Sequence, residues 1–313
     1  MSAPAPEPLD DWIVALDVGG GSVKSGTFAP SGRLVNPPAF TPIASRGSAE
    51  EIFATLAGIL EAELACVPPE AGWRAALGFP GPFDYASGVS LIRDVDKYDA
   101  LFGLDVGAAL RAHLRTRPPG DLRFFNDALA AIVGEARVGA GHPASRVVGI
   151  TLGTGLGSAF LHGGQPVTAE QIPGVPDGGW LYPCDFDGRP ADECFSTRGV
   201  RARAIARGLT VHDAPTLVAL AATGDRPTLA FWESFGADLG HFLRPYLEAF
   251  AADHLLVLGG LSSAWPHFGS ALRMKLAPHL ATPGCLGATA ALHGLRALHP
   301  NPRRGGAIQG NPY

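Results

Sequence analysis

The chain has 313 residues, 46% of them apolar and 17% charged, with a formal net charge of -5. That is long and apolar enough for two domains or one large α/β domain, and it excludes a disordered chain or a small disulfide-stapled module. The acidic balance gives no electrostatic reason to wrap nucleic acid or to coat an anionic membrane, and neither partner is expected.

Pro-rich residues 1–9 and Gly-, Pro- and Asn-rich residues 300–313 read as tails. Between them, short β-branched runs alternate with longer amphipathic ones, which predicts mixed α/β architecture. Residues 12–18 form a buried strand, and 22–29 return antiparallel to it after a glycine turn. A helix follows at 48–66, with Ile52, Phe53, Leu56, Ile59, Leu60 and Leu64 on one face and Ser48 with Glu51 as a capping box. Next come a strand at 74–79 closed by Pro80-Gly81-Pro82, a helix at 104–115, a strand at 122–125 and a helix at 128–138. The opening theme then repeats: strand 146–152, glycine turn 153–157, strand 158–162. Residues 174–190 are loop, Ser196 is a helix N-cap, and a long helix at 228–252 is interrupted near Pro245. A strand at 254–258, Gly259-Gly260, and helices at 263–280 and 287–298 complete the chain. Two strand, turn, strand units half a chain apart predict a structural duplication with its boundary near Asn126.

In Asp17-Val18-Gly19-Gly20-Gly21-Ser22-Val23-Lys24 an acid at a strand end precedes three glycines, a hydroxyl and a lysine. Glycines let backbone N–H groups surround phosphate oxygens, Ser22 adds a donor, and Asp17 can hold Mg²⁺ directly or through water. The spacing is not that of a P-loop, and the competing reading is a tight hairpin that needs positive φ. Gly153-Thr154-Gly155 repeats the theme; two such turns facing each other across a cleft would clamp the β- and γ-phosphates of a nucleotide. Gly259-Gly260 is either a third close approach, suited to adenine or ribose, or an ordinary strand-to-helix turn. Asp127 is placed to take the proton from a hydroxyl attacking the γ-phosphate and Asn126 to hold that hydroxyl, although either residue also suits a helix N-cap. The lysines are Lys24, Lys97 and Lys275, so a lysine here is informative. Cys66, Cys184, Cys194 and Cys285 form no C-x-x-C pair, no run reaches the length of a membrane span, and the first residues lack a signal-peptide pattern, so a reducing cytoplasmic setting is expected.

Six segments taken in order resemble the ROK family of bacterial sugar kinases and repressors, within the actin-like ATPase superfamily. They are D-V-G-G-G-S-V-K-S-G at Asp17, G-F-P-G-P at Gly78, N-D-A-L-A-A-I-V-G-E at Asn126, G-I-T-L-G-T-G-L-G at Gly149, V-L-G-G-L at Val257 and L-G-A-T-A-A at Leu286. The resemblance implies an α/β fold of two actin-like (ribonuclease H-like) domains with a cleft between them: residues 10–126, completed by the final helix at 287–298, and residues 127–286. It implies phosphorylation of a hexose, glucose or a relative, with ATP and Mg²⁺ as cofactors and a homodimer as assembly. Asp127 would be the base, and Pro80, Gly81 and Asn126 sugar contacts. Asp17, Gly19, Gly20, Gly21, Ser22, Lys24, Gly153, Thr154, Gly155, Gly259 and Gly260 would make the nucleotide site. The cysteine cluster of the family's zinc-containing members is missing from 174–198, so no zinc site is expected. Asp192 or Glu193 stands where the family carries one sugar-binding glutamate, and Glu170 or Asp177 replaces another. A sugar-responsive repressor of the same family would need a DNA-binding domain ahead of the first glycine strand, where only eleven residues precede Trp12. A polyphosphate-dependent glucokinase would call for a basic groove.

Overall fold

The computed structural model of the protein describes residues 11–276 and 280–299, and the expected tails at 1–9 and 300–313 lie outside the described residues. Contacts divide the chain into two compact units: one holds the described residues up to Gly134 and from Ala288 onward, the other Glu135–Gly287.

The first unit is built on β1 (Trp12–Val18), β2 (Ser22–Phe28), β3 (Ala39–Pro42), β4 (Trp73–Phe79) and β5 (Asp121–Asn126), in the order β3-β2-β1-β4-β5. β1 runs antiparallel to β2 and parallel to β4, and β4 parallel to β5. Every residue of β4 is buried, as a parallel strand covered on both faces requires. Helix α1 (Ala49–Leu64) starts at the expected capping box, where the Ser48 hydroxyl accepts from the Glu51 amide and the Glu51 carboxylate accepts from the Ser48 amide. Such a cap contributes about 1 kcal/mol. Its apolar face, Ile52, Phe53, Leu56, Leu60 and Leu64, is buried, at about 1.5–3 kcal/mol for each fully buried side chain. Helix α2 (Val106–His113) is capped by Asp105, and α3 (Asp127–Val138) follows β5 directly.

The second unit repeats this plan strand for strand. β6 (Arg146–Leu152), β7 (Leu156–His162), β8 (Gln165–Val167), β9 (His254–Leu258) and β10 (Leu280–Pro283) lie in the order β8-β7-β6-β9-β10. Again the first strand is antiparallel to the second and parallel to the fourth. Helices α4 (Ala191–Phe195), α5 (Thr197–Ala206), α6 (Ala214–Ala222), α7 (Arg226–Phe250) and α8 (Trp265–Lys275) supply a core rich in aromatics, including Phe195, Phe231, Trp232, Phe235, Phe250 and Phe268. Ser196 caps α5 by accepting from the Gly199 amide, as expected.

The last helix, α9 (Ala290–Leu298), returns to the first unit, where Leu292 lies beside Gly26 and Leu295 beside Gly78. Its Gly294 faces α3 so closely that a Cβ would come within 1.7 Å of the Ala130 carbonyl oxygen, and a Cβ on Gly134 within 1.9 Å of that of Ala290. At the next residue, the Glu135 carboxylate accepts from the amides of Ala140 and Leu286. The division by contacts therefore falls inside α3, between Gly134 and Glu135, and not at Asn126.

Four further differences from the sequence reading have local causes. β3, β8 and β10 were not expected; each is three or four residues long, contains a proline and sits at a sheet edge. The helix expected over 263–280 gives way after Lys275, and β10 follows. α6 forms in a stretch without an expected element, capped by Asp213 and with a proline in its first turn. α7 runs unbroken through Pro245, because that residue is on the exposed face, where water can satisfy the carbonyl its missing N–H leaves free.

Candidate active site

Within the first unit the register brings the carboxyl ends of three adjacent strands together. Asp17 of β1 lies opposite Gly78 of β4, and Phe79 of β4 opposite Asn126 of β5. In open α/β sheets this edge is where ligands bind. Asp17 is 7% exposed, and its Oδ2 accepts from Lys24 Nζ at 2.6 Å. Lys24, expected to face phosphate, is thus tied to Asp17.

The glycine turn after Asp17 closes with the Gly19 amide donating to the Ser22 carbonyl at 3.0 Å. None of Gly19, Gly20 and Gly21 has positive φ, so that requirement of a tight hairpin is absent, although a Cβ on Gly19 would come within 2.9 Å of the Ser22 carbonyl oxygen and the turn itself accounts for that glycine. A Cβ at Gly21 would meet nothing within 4 Å, which leaves the turn open to a ligand. The amides of Gly20 and Gly21 have no partner among the described residues. Ser22 begins β2 and stands at the same turn.

At the β5–α3 junction the two polar residues divide their roles. The Asn126 side-chain oxygen accepts from the Leu129 amide at 3.0 Å, so Asn126 is the cap of α3. Its amide donates to the Tyr85 hydroxyl at 3.1 Å, which in turn donates to the Phe79 carbonyl at 3.0 Å. Gly81 is beside the same hydroxyl, and Pro80 is buried next to it, so the Pro80-Gly81 turn and Asn126 form one corner around Tyr85. Among the described residues, the Asp127 carboxylate accepts only from neighbouring backbone, the Ala128 amide at 2.8 Å and its own amide. Desolvation and the nearby Asp17 charge push its carboxyl up to about 6, against the pull of the Ala128 amide and Lys97. Burial likewise holds the Tyr85 hydroxyl protonated well above its usual range.

Among the described residues no three His, Cys, Asp or Glu side chains converge on a metal position. Mg²⁺ needs only one or two protein carboxylates when phosphates and water supply the rest, and Asp17 beside Asp127 is a pair whose mutual repulsion a cation relieves. The donor set therefore fits Mg²⁺ brought in with a phosphate chain.

In the second unit, Gly153, Thr154 and Gly155 form the turn between β6 and β7. Thr197 anchors it, its amide and hydroxyl donating to the Gly153 carbonyl at 2.8 and 2.5 Å. Asp192 accepts from the Leu156 amide at 2.7 Å and from Arg198 at 2.7 Å. One of its oxygens thus braces this turn and the other pairs with Arg198. Glu193, Glu170 and Asp177 are exposed and outside this bracing. Gly259 has φ of 88°, and a Cβ there would lie 2.4 Å from the Leu152 carbonyl oxygen. Its glycine is thus explained by the strand-to-helix turn, while Gly260 faces open space. Cys194 is buried, and Cys184 and Cys194 are both free thiols.

Sequence reasoning missed Tyr85, Ser45, Lys97 and Tyr98. The Tyr98 hydroxyl donates to the Gly19 carbonyl at 2.5 Å, the Ser45 hydroxyl donates to the Gly20 carbonyl, and Lys97 extends alongside Gly20. Only the scarcity of lysine pointed to one of the four.

A carboxylate at a strand end beside an open glycine turn, in a unit whose topology the second unit copies, defines the class: an actin-like α/β protein of two domains. Residues 14–287 match the ROK family, and the chain belongs to it. It is similar to a polyphosphate glucokinase of Mycobacterium leprae (strain TN), 30% identical over 160 residues covering 48% of this chain and 43% of that protein. The match thus spans less than half the length of that relative. It is also similar to a glucokinase of Thermotoga maritima, 22% identical over 288 residues covering 86% of this chain and 88% of the other. Among solved structures, a ROK hexokinase from Thermus thermophilus aligns with a TM-score of 0.72 at 24% identity, covering 91% of this chain and 96% of that one. That likeness shows the shared fold. Among the described residues, no helix is long and apolar enough to cross a membrane.

Proposed function

We propose that this protein phosphorylates a hexose hydroxyl, that of glucose or a close relative, with ATP as donor. The observation that carries the reading is the Asp127 carboxylate, with Asn126 taking the cap of α3, held near pKa 6 by desolvation and by the charge of Asp17, the residue from which the open glycine turn departs. A sugar hydroxyl is a poor nucleophile at neutral pH, and a base titrating just below neutrality is ionised and able to accept its proton. In the transfer, the hydroxyl oxygen bonds to the γ-phosphorus as its proton passes to Asp127. The bond from that phosphorus to the β,γ-bridging oxygen breaks, and its electron pair leaves with ADP.

The remaining residues bind and orient. The unpartnered amides of Gly20 and Gly21 point to phosphate binding, with Ser22 beside them. Gly153, Thr154 and Gly155 are the matching turn of the second unit, and Gly260 leaves space for a nucleoside. The corner of Pro80, Gly81, Tyr85 and Asn126 suits a sugar, with hydroxyl and amide groups already oriented by one another. Asp17 is the residue that would hold Mg²⁺, which when bound screens the charge of the phosphate chain.

A second reading, inorganic polyphosphate as donor, is favoured by the likeness to the M. leprae polyphosphate glucokinase. An ADP-release screen of hexoses, N-acetylhexosamines and fructose with ATP, run beside a sugar-phosphate assay with polyphosphate, tests both. Sugar-dependent ADP release supports the first reading, and sugar phosphate formed from polyphosphate alone supports the second. No product from any pair removes the kinase assignment.

A further inference from the structure

We propose that Lys97 binds the terminal phosphates of a linear phosphate chain, carried by a nucleoside triphosphate or by inorganic polyphosphate, and that residues 94–98 are shaped to hold it there. The inference rests on the kinase reading above. Of the two lysines in the first unit, Lys24 is bound to Asp17, whereas the Lys97 ammonium makes no hydrogen bond or ion pair among the described residues. Its acidic neighbours are engaged elsewhere: Asp96 pairs with Arg46, and Asp99 accepts from the Val95 amide at 3.2 Å. The stem of Lys97 runs along the glycine turn, with Cδ 3.5 Å from where a Cβ of Gly20 would be. Its charge also reaches Asp127, which it favours in the ionised form. A cavity of about 150 Å³ lined by Ser45, Arg46, Gly47, Asp96, Lys97, Asp99 and Ala100 leaves open space against the Lys97 side chain.

The loop is unusual in the way functional loops are. Asp94, Asp96 and Tyr98 have φ of 59°, 62° and 60°, a region that bulky residues such as Tyr rarely adopt. Tyr98 is nevertheless fully buried, and two of its polar atoms are tied down: its hydroxyl donates to the Gly19 carbonyl and its amide to the Ser45 carbonyl at 2.6 Å. The Ser45 hydroxyl completes the tie by donating to the Gly20 carbonyl. The loop that presents Lys97 is thus fastened to the turn that presents the phosphate-facing amides. An unpaired ammonium at such a place is a binding group for developing and resident phosphate charge.

The test compares wild type, Lys97→Gln and Lys97→Arg in calorimetric titrations with Mg·ATP and with inorganic tripolyphosphate, alongside sugar kinetics and thermal melting. The expected result is a loss of affinity of about tenfold or more for one or both phosphate chains in Lys97→Gln, the scale of one charge-assisted contact. Sugar KM should stay within about twofold, and Lys97→Arg should recover most of the loss. The acidic limb of kcat/KM should move to higher pH in Lys97→Gln, because the cation favouring ionised Asp127 is gone. Sensitivity to ATP alone assigns the nucleotide as ligand; sensitivity to tripolyphosphate as well assigns the bare phosphate chain. A Lys97→Gln protein that binds both chains like wild type overturns the proposal, as does a wild type that binds neither. If wild type binds tripolyphosphate through Lys97 yet phosphorylates no sugar, the kinase reading falls and the anion site stands.

Discussion

At the scale of single residues, the role proposed for Asp127 comes with a cost in stability. Its folded pKa near 6 lies above the ordinary value of 3.8, so between about pH 4 and 6 the unfolded chain releases a proton that the folded chain keeps. The wild type therefore loses stability as pH rises through that window. Asp127→Asn should be more stable at pH 7, by at most about 3 kcal/mol for a shift of roughly two units, and the difference should vanish below about pH 4. Equal melting temperatures across this range would show that Asp127 is not desolvated as described. The wild-type kcat/KM should fall on the acid side with an apparent pKa near 6, and a flat profile down to pH 5 would contradict the assignment of the base. Gly21 gives a second, independent test. Its backbone has no positive φ and its Cβ position is empty, so Gly21→Ala should leave the melting temperature unchanged or slightly raised. If the turn cradles phosphate, the same change should raise the KM for the donor about tenfold or more, and an unchanged donor KM would assign the turn a structural role alone. Asp17, the glycines, Asn126 and Asp127 were legible in the sequence because each sits where a short apolar run meets a breaker. Lys97, Tyr98, Ser45 and Tyr85 were not, because their relation to those residues exists only after the chain has folded.

At the scale of elements, the strands that escaped the sequence were the sheet edges. β3, β8 and β10 contain Pro42, Pro166 and Pro283, and a proline in a short run argues against a strand unless the strand is at an edge. The same prolines remove donors from edges that would otherwise invite pairing with another chain. The long amphipathic helices and the two opening hairpins were legible because their periodicity extends over several turns or residues. Invisible in that periodicity was the contact of α3 with α9, which depends on two glycines far apart in sequence. Gly294→Ala would force a methyl against the Ala130 carbonyl, with a separation of 1.7 Å before relaxation. Overpacking of this kind costs about 1–3 kcal/mol or more, so the variant should melt several degrees lower. An unchanged melting temperature would show that α9 does not seat on α3 as described.

At the scale of the whole molecule, one sheet plan is used twice, and the chemistry is distributed unevenly over the copies. The first unit carries the candidate base, the candidate sugar corner and both candidate phosphate-facing features, the glycine turn and Lys97. The second carries a braced glycine turn and the larger aromatic core. A net charge of -5 and three lysines supply little general attraction for a polyanion, so the proposed donor binding would have to come from particular groups and a divalent cation. Removing Mg²⁺ with a chelator should accordingly abolish sugar phosphorylation, and its readdition should restore it; activity persisting without divalent cations would contradict this view of the donor site. The most direct measurement of the central claim is single-turnover and steady-state phosphorylation of glucose by wild type and Asp127→Asn, with sugar affinity measured in parallel. We expect sugar phosphate from the wild type and a fall in kcat of about 10²- to 10⁴-fold in the variant, with sugar binding little changed. A folded Asp127→Asn protein that turns over at the wild-type rate would contradict the account.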